Sequence, residues 1–280
     1  MFHTNQHTIS GDAVFSGRAL QSGHRVKVVC KGAGENTGIV FSRSDLPGKP
    51  SFRVSNAFIL SGPYRRSVVG FEKAVVHTVE HLLAALWALE IDNIMIEVNG
   101  IEIPGMDGSA IEFYKGLKTA GVAAQSAKRC IVHITEPITV ENKEASISIV
   151  PSGSFGISYH IDYDIASIPK EDFTVEFSSG TFEKEIGPAR TFCLKKEAML
   201  LRLLGLGKGA TYENTLVMGK TGPVKNTLRY PNEPVRHKVL DILGDFYLLG
   251  RPVVGKIIAK KSGHRLNAEL VKKIYERYLA

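Results

Sequence analysis

Little in this chain points to disulfides, membranes or nucleic acid. Its 280 residues hold three cysteines, Cys30, Cys130 and Cys193, far apart and without a CxxC pair. That argues against a disulfide framework or a zinc knuckle and fits a reducing compartment. No apolar run nears the roughly 18 residues of a membrane span. The opening stretch, MFHTNQHTIS, lacks the apolar core of a signal peptide, so the expected location is the cytoplasm. No low-complexity segment occurs. Lysine and arginine exceed aspartate and glutamate, 35 to 28, for a formal charge of +7. The basic residues are dispersed apart from short pairs such as Lys195 with Lys196 and Lys260 with Lys261. Without a basic-and-aromatic module or a zinc-finger spacing, nucleic acid is disfavoured. The charge still suits anionic metabolites or an acidic membrane surface.

What is there is a pattern stated twice. HRVKVVC, TGIVFSR and SFRVSNAFI read as strands between Gly- and Pro-bearing turns. A helix over Val75–Leu89 follows, then the strand-like IDNIMIEVNG, then a helix over 109–121 with Asp107 or Ser109 as N-cap. The second part repeats the order. RCIVHITEPITVE, ASISIVP, FGISYHIDYD and FTVEFSS are strands. A helix spans Pro234–Leu249, with Pro near its first turn and Gly250 past its end. PVVGKIIAKKSG is a strand pair or bent strand, and LNAELVKKIYERYL closes the chain as a helix. The reading is α+β: two similar domains, 1–125 and 126–280, joined by GVAAQSAK as a linker. Residues 187–222 form an insertion in the second domain. GLGKGA lacks the full phosphate-loop pattern and reads as a turn.

Three constellations carry chemistry. The first is VVHTVEHLLAAL, Val75–Leu86. On a helix, Val75, Val79, Leu82, Leu86 and Leu89 make one apolar stripe. His77, Glu80 and His81 point the other way, beside the small apolar Ala84 and Ala88. A helix covered on both sides buries Glu80, and a buried carboxylate is costly unless paired or near a cation. His77 and His81 sharing a metal, with Glu80 as base, is one reading of H-x-x-E-H. Two ordinary histidines bonded to backbone is the other. The second is His237, Asp241 and Asp245 along one face of the later helix. His81, His237 and Asp241 would give a catalytic zinc its usual three protein ligands. The bland reading of His237 with Asp241 is a surface ion pair. The third is His264 in KKSGHRLN, a proton donor that titrates near neutrality or a residue of the last helix's first turn.

Taken together, TVEHLLAAL, IDNIMIEVNGIEIPGMDGSAIEFY, ARTFC, GLGKGA with NTLV, LRYPNEPVRHKVLDILGDFYLLG and GHRLN resemble the zinc-dependent UDP-3-O-acyl-N-acetylglucosamine deacetylases. That family acts at the committed step of lipid A synthesis in Gram-negative bacteria. The likeness runs in order over nearly the whole chain. It implies two domains, each a β-sheet layer packed on helices, with the active site at their interface. It implies zinc, with ferrous iron as the alternative metal, held by His81, His237 and Asp241, and it removes His77 from the ligand set. It implies Glu80 as general base, His264 as the acid oriented by Asp245, and Thr191 at the oxyanion. Lys238 would contact substrate. Phe192 and the insertion would line an apolar passage for an acyl chain, with Leu200, Leu201, Leu203 and Leu204 fitting that wall. The implied substrate is an acylated UDP-amino sugar, handled by a monomer in transient contact with a membrane surface.

Two departures stand out. Gln21 occupies a place where the family usually carries histidine, and YRRSVVG (64–70) replaces the family's polar residues. Two other functions fit the same residues. One is a different zinc amidohydrolase or peptidase using His77, and the other is a binding protein that lost catalysis.

Overall fold

The computed structural model describes residues 3–54, 59 and 66–280. Two five-stranded sheets dominate it, and they share one topology. In the first the order is Ala13–Arg18, Arg25–Gly32, Ile94–Val98, Ile39–Arg43, Ser51–Arg53. In the second it is Ile138–Glu141, Ser146–Val150, Lys256–Lys260, Gly156–Ile161, Glu171–Glu176. Within each sheet the third strand pairs antiparallel with the second and parallel with the fourth. A parallel neighbour needs a long crossover, and a helix supplies it. In the first half that helix is α1, Glu80–Ala88, and in the second it is α4, Glu233–Phe246. A further helix follows each third strand: α2, Ile111–Thr119, and α5, His264–Tyr278. The repeat of pattern in the sequence is thus a repeat of architecture.

Strand residues alternate as a half-buried sheet requires. Val26, Val28 and Cys30 point inward from Arg25–Gly32 while Arg25, Lys27 and Val29 alternate with them. The two crossover helices are different, because both faces are covered. Every residue of α1 from Glu80 to Trp87 is buried, and in α4 only Arg236 escapes full burial. Leu82, Leu83 and Leu86 are wholly inaccessible, each worth about 1.5–3 kcal/mol relative to exposure. The helices meet where Gly244 abuts the backbone of Glu80. A Cβ at 244 would fall 2.0 Å from the Glu80 carbonyl oxygen.

Several boundaries differ from the sequence expectation. Val75–His77 is not helical. It belongs to the strand Ala74–His77, which forms a hairpin with Val68–Phe71. The apolar, β-branched Val75 and Val76 suit that hairpin. Thr78 then adopts φ 61°, rare for a β-branched residue, and turns the chain into α1. The expected linker is also a strand. Val122–Lys128 pairs antiparallel with Asn5–Ile9, the amino-terminal strand. The cap of α2 is Ala110, without a side-chain bond; Asp107 instead accepts from Ser109. Pro234–Leu249 holds as α4 plus a short 3₁₀ turn, with Gly250 at φ 67° beyond it. Of SFRVSNAFI, Ser51–Arg53 is a strand, and residues 55–58 lie outside the described residues. Within 187–222, Phe192–Leu194 and Leu216–Met218 pair in parallel around α3, Lys195–Leu203. No described helix is long and apolar enough to cross a membrane.

Candidate metal centre and catalytic cavity

The seam between α1 and α4 brings the first two constellations together. Ligand atoms of His81, His237 and Asp241 lie within 4.8 Å of one another, and all three residues are buried. Asp241 Oδ1 faces His237 Nε2 at 3.3 Å and His81 Nε2 at 3.9 Å. The two rings meet edge to face, 5.1 Å apart. His237 Nδ1 lies 3.0 Å from the Ala189 carbonyl oxygen. A carbonyl only accepts, so Nδ1 carries the proton and Nε2 presents its lone pair to the cluster. Burial, and then the neighbouring His237, lower the pKa of His81 to about 3. Burial likewise lowers that of His237, against the pull of Asp241. Burial alone would raise the Asp241 pKa. Lys238 and then His237 outweigh it and hold the carboxyl well below its usual range. The result is two neutral imidazoles and one carboxylate converging on a point. This two-nitrogen, one-oxygen set suits zinc or ferrous iron and not magnesium or calcium, which take oxygen shells.

Glu80 opens α1, one residue before His81, and aims at the same cavity. Its Oε2 accepts from the Ser67 amide at 3.1 Å. Burial raises its pKa to about 7, His264 pulling against and Asp245 reinforcing. His264 faces it from the first turn of α5. Its Nδ1 lies 3.0 Å from Asp245 Oδ2 and its Nε2 lies 3.7 Å from Asp241 Oδ2. Burial opposes the imidazolium, but Asp245 and then Asp241 outweigh it and raise the His264 pKa to about 9. Asp245 is itself held on all sides. Asn267 Nδ2 donates to its Oδ2 at 2.7 Å, and the Ser67 hydroxyl donates to Oδ1. Lys238 Nζ donates to Asp241 Oδ2 at 2.6 Å. Burial works against that ammonium, and Asp241 restores it above its ordinary value.

Glu80, His81, His237, Lys238, Asp241 and His264 line a cavity of about 390 Å³ that Thr191 and Phe192 also line. A second cavity, about 520 Å³ and largely apolar, lies against α3. Leu20, Gln21, Arg66, Thr191 and Phe192 line both, so the two spaces adjoin. Leu201 and Leu204 line the apolar one; Leu200 and Leu203 do not and are exposed. Eight of the nine expected site residues line the first cavity, and the ninth, Asp245, is wholly buried behind His264. The cavity leaves His77 out. His77 Nδ1 accepts from Arg66 Nε at 3.1 Å, and burial lowers its pKa to about 4.

Sequence reading missed the supports. Arg190 and Glu233 form a buried ion pair at 2.9 Å that fixes Thr191 and Phe192 beside the start of α4. Glu102, also buried, accepts from the Gln21 and Ser22 amides and from the Thr78 hydroxyl. Gln21 Oε1 in turn accepts from the Gly207 amide at 3.2 Å. Tyr64 and Arg65 of the departing segment lie outside the described residues. Arg190, Glu233 and Glu102 each lie inside a stretch that carries the family resemblance, as Asn267 does one turn beyond His264 in GHRLN, but their partners are not legible in sequence alone.

The profile of the LpxC family, UDP-3-O-acyl N-acetylglycosamine deacetylase, matches residues 6–276. A Thermosynechococcus vestitus protein named UDP-3-O-acyl-N-acetylglucosamine deacetylase is 37% identical over 98% of this chain and 95% of its own. Proteins of the same name from Myxococcus xanthus and Syntrophus aciditrophicus are 37% and 36% identical. They cover 96% and 97% of this chain, and 86% of each relative. With the match spanning both sheets and both crossover helices, the chain belongs to the UDP-3-O-acyl N-acetylglycosamine deacetylase family.

Proposed function

We propose that the chain hydrolyses the acetamide of a UDP-3-O-acyl-N-acetylglucosamine, releasing acetate and the free glucosamine amine, in the lipid A pathway. The observation that carries this is one cavity lined by a buried two-histidine, one-aspartate donor set with the Glu80 carboxyl and the Asp245-bonded His264 ring beside it. His81, His237 and Asp241 hold the metal, zinc or ferrous iron. Bound there, such an ion supplies Lewis acidity: it lowers the pKa of water and polarises a carbonyl.

The chain's own groups do the rest. Glu80 takes a proton as water attacks the acetamide carbon. The Thr191 hydroxyl donates to the developing oxyanion. The carbon–nitrogen bond breaks, and His264 gives its proton to the departing nitrogen. Asp245 fixes the His264 ring and keeps it charged until that step. Lys238 holds Asp241 and meets polar groups of the substrate. Phe192, whose ring lies 6.3 Å from that of His237, borders the way from the metal to the apolar cavity. That cavity takes the acyl chain. The halves act as domains, 1–125 and 126–280, with 187–222 inserted in the second. The enzyme works as a cytoplasmic monomer that touches lipid surfaces without crossing them.

Incubation with the nucleotide sugar, followed by mass spectrometry, tests the proposal. The expected product has lost one acetyl group, and a chelator abolishes its formation. A substrate that stays intact with metal-loaded protein overturns the reading.

A further inference from the structure

Helix α3 is the least covered element of the described fold. None of its residues is buried. Met199 is 65% exposed, Leu200 56%, Leu203 86% and the following Leu204 66%. At about 100° per residue these four side chains fill one continuous arc of the helix. Lys196 sits inside the arc, and Lys195 and Arg202 sit at its edge. Those three and Lys208 are exposed, and none has a carboxylate partner among the described residues. The only acid in 194–208 is Glu197, and its carboxylate accepts from the Leu194 amide at 2.9 Å.

We propose that this outward face of α3 docks on an anionic lipid surface. An apolar face rimmed by unpaired cations suits insertion at the level of acidic headgroups, with the lysine stems lying along the apolar boundary. A second copy fits poorly, because the face would set cations against cations. The apolar cavity adds a reason for the place. Ala198 and Leu201 line it from the inner side of α3, and Met199 and Leu204 belong to both its lining and the exposed arc. The cavity therefore opens where the lipid would lie. Resting on the function proposed above, this lets an acyl chain pass from bilayer to cavity without crossing water.

Co-sedimentation of the full chain with phosphatidylcholine vesicles, with and without phosphatidylglycerol, tests the docking. The wild type is expected to bind the phosphatidylglycerol vesicles, and more weakly as salt rises. The double variant Leu200→Ser/Leu203→Ser should bind at least about tenfold more weakly, since it removes the two exposed apolar side chains of the arc that do not line the cavity. Lys196→Glu should also weaken binding. None of these side chains lines either cavity, so acetate release from detergent-dispersed substrate should match the wild type. Absent vesicle binding, equal binding by the double variant, or salt-independent binding to phosphatidylcholine alone each overturns the proposal. So does a dimer seen by light scattering that the double variant dissolves. If the wild type binds vesicles but releases no acetate, the functional reading fails and the docking stands.

Discussion

Replacing Gly244 by alanine sets two effects against each other. On helix propensity alone, alanine inside α4 stabilises by up to about 1 kcal/mol. Packing opposes this. The new Cβ would lie 2.0 Å from the Glu80 oxygen, 2.6 Å from its carbonyl carbon and 2.8 Å from its Cα. All three are backbone atoms of α1, so no side chain can swing aside. Ordinary contact begins near 3.4 Å, and the helices must part by something on the order of 1 Å. Overpacking of this kind costs about 1–3 kcal/mol, which exceeds the propensity gain.

The consequence reaches the chemistry because α1 carries Glu80 and His81, while α4 carries His237 and Asp241. Parting the helices widens the donor cluster and moves the base. A displacement of about 1 Å at reacting groups is worth roughly 100-fold in rate. Gly244→Ala is therefore expected to lose about two orders of magnitude in kcat/KM and to bind metal more weakly. Its Tm should fall by about 2–4 °C per kcal/mol lost. Metal content by mass spectrometry, a thermal melt and steady-state kinetics measure the three. Wild-type kcat/KM together with an unchanged Tm would refute the argument that these helices are in contact limited by position 244.

Other substitutions separate the roles. Asp241→Ala should purify without metal, whereas His77→Ala should retain it; metal loss in the second would restore His77 as a ligand. Activity should be bell-shaped in pH. It falls as pH drops through the Glu80 pKa, at or below about 7, because a bound cation pulls that carboxyl down. It falls again as pH rises through the His264 pKa, no higher than about 9, where the imidazolium loses its proton. His264→Gln should remove the basic limb, and a limb unchanged in that variant rejects the assignment. Arg190→Met should cost about 3–5 kcal/mol, because it leaves the wholly buried Glu233 carboxylate without its cation. A melt within a degree or two of wild type would show that Glu233 finds another partner.

Much of this was legible in sequence where short-range signals suffice. The α4 helix declared itself through Pro234, its apolar face and Gly250, and the doubled order of strands and helices through alternation and turns. The two segments that carry the candidate metal donors drew notice because polar groups interrupt runs that are otherwise buried. The start of α1 was not. Val75 satisfies a helical stripe as well as a strand, and a short apolar run cannot decide between them. Pairing with Val68–Phe71 decides it, and that contact is tertiary. The false helix made His77 a neighbour of His81 on one face; the real turn at Thr78 sends it to Arg66 instead. The strand Val122–Lys128 escaped for the same reason, since its small side chains read as a linker until Asn5–Ile9 lies beside them. Glu102 and Glu233 escaped because a buried carboxylate looks like any other until its partners are known.

The doubled topology also explains why the site lies where it does. In each half the crossover helix precedes the central parallel strand, Ile94–Val98 or Lys256–Lys260; α4 packs on Gly156–Ile161 and Glu171–Glu176 of its sheet, and α1 packs on α2. A helix so placed has one face on its own half and one face left over. Two such halves can bury both leftover faces at once by setting α1 against α4. Residues on that seam then come from segments more than 150 positions apart, as His81 and His237 do. The first half alone would offer Glu80 and His81 on a solvated face, where the carboxylate would not be driven toward neutrality. Pressing the halves together removes water from Glu80 and supplies Asp245 and His264 from the other side. The candidate metal donors and the proposed base and acid therefore come together at the same contact, and Gly244 is the position that lets the contact close.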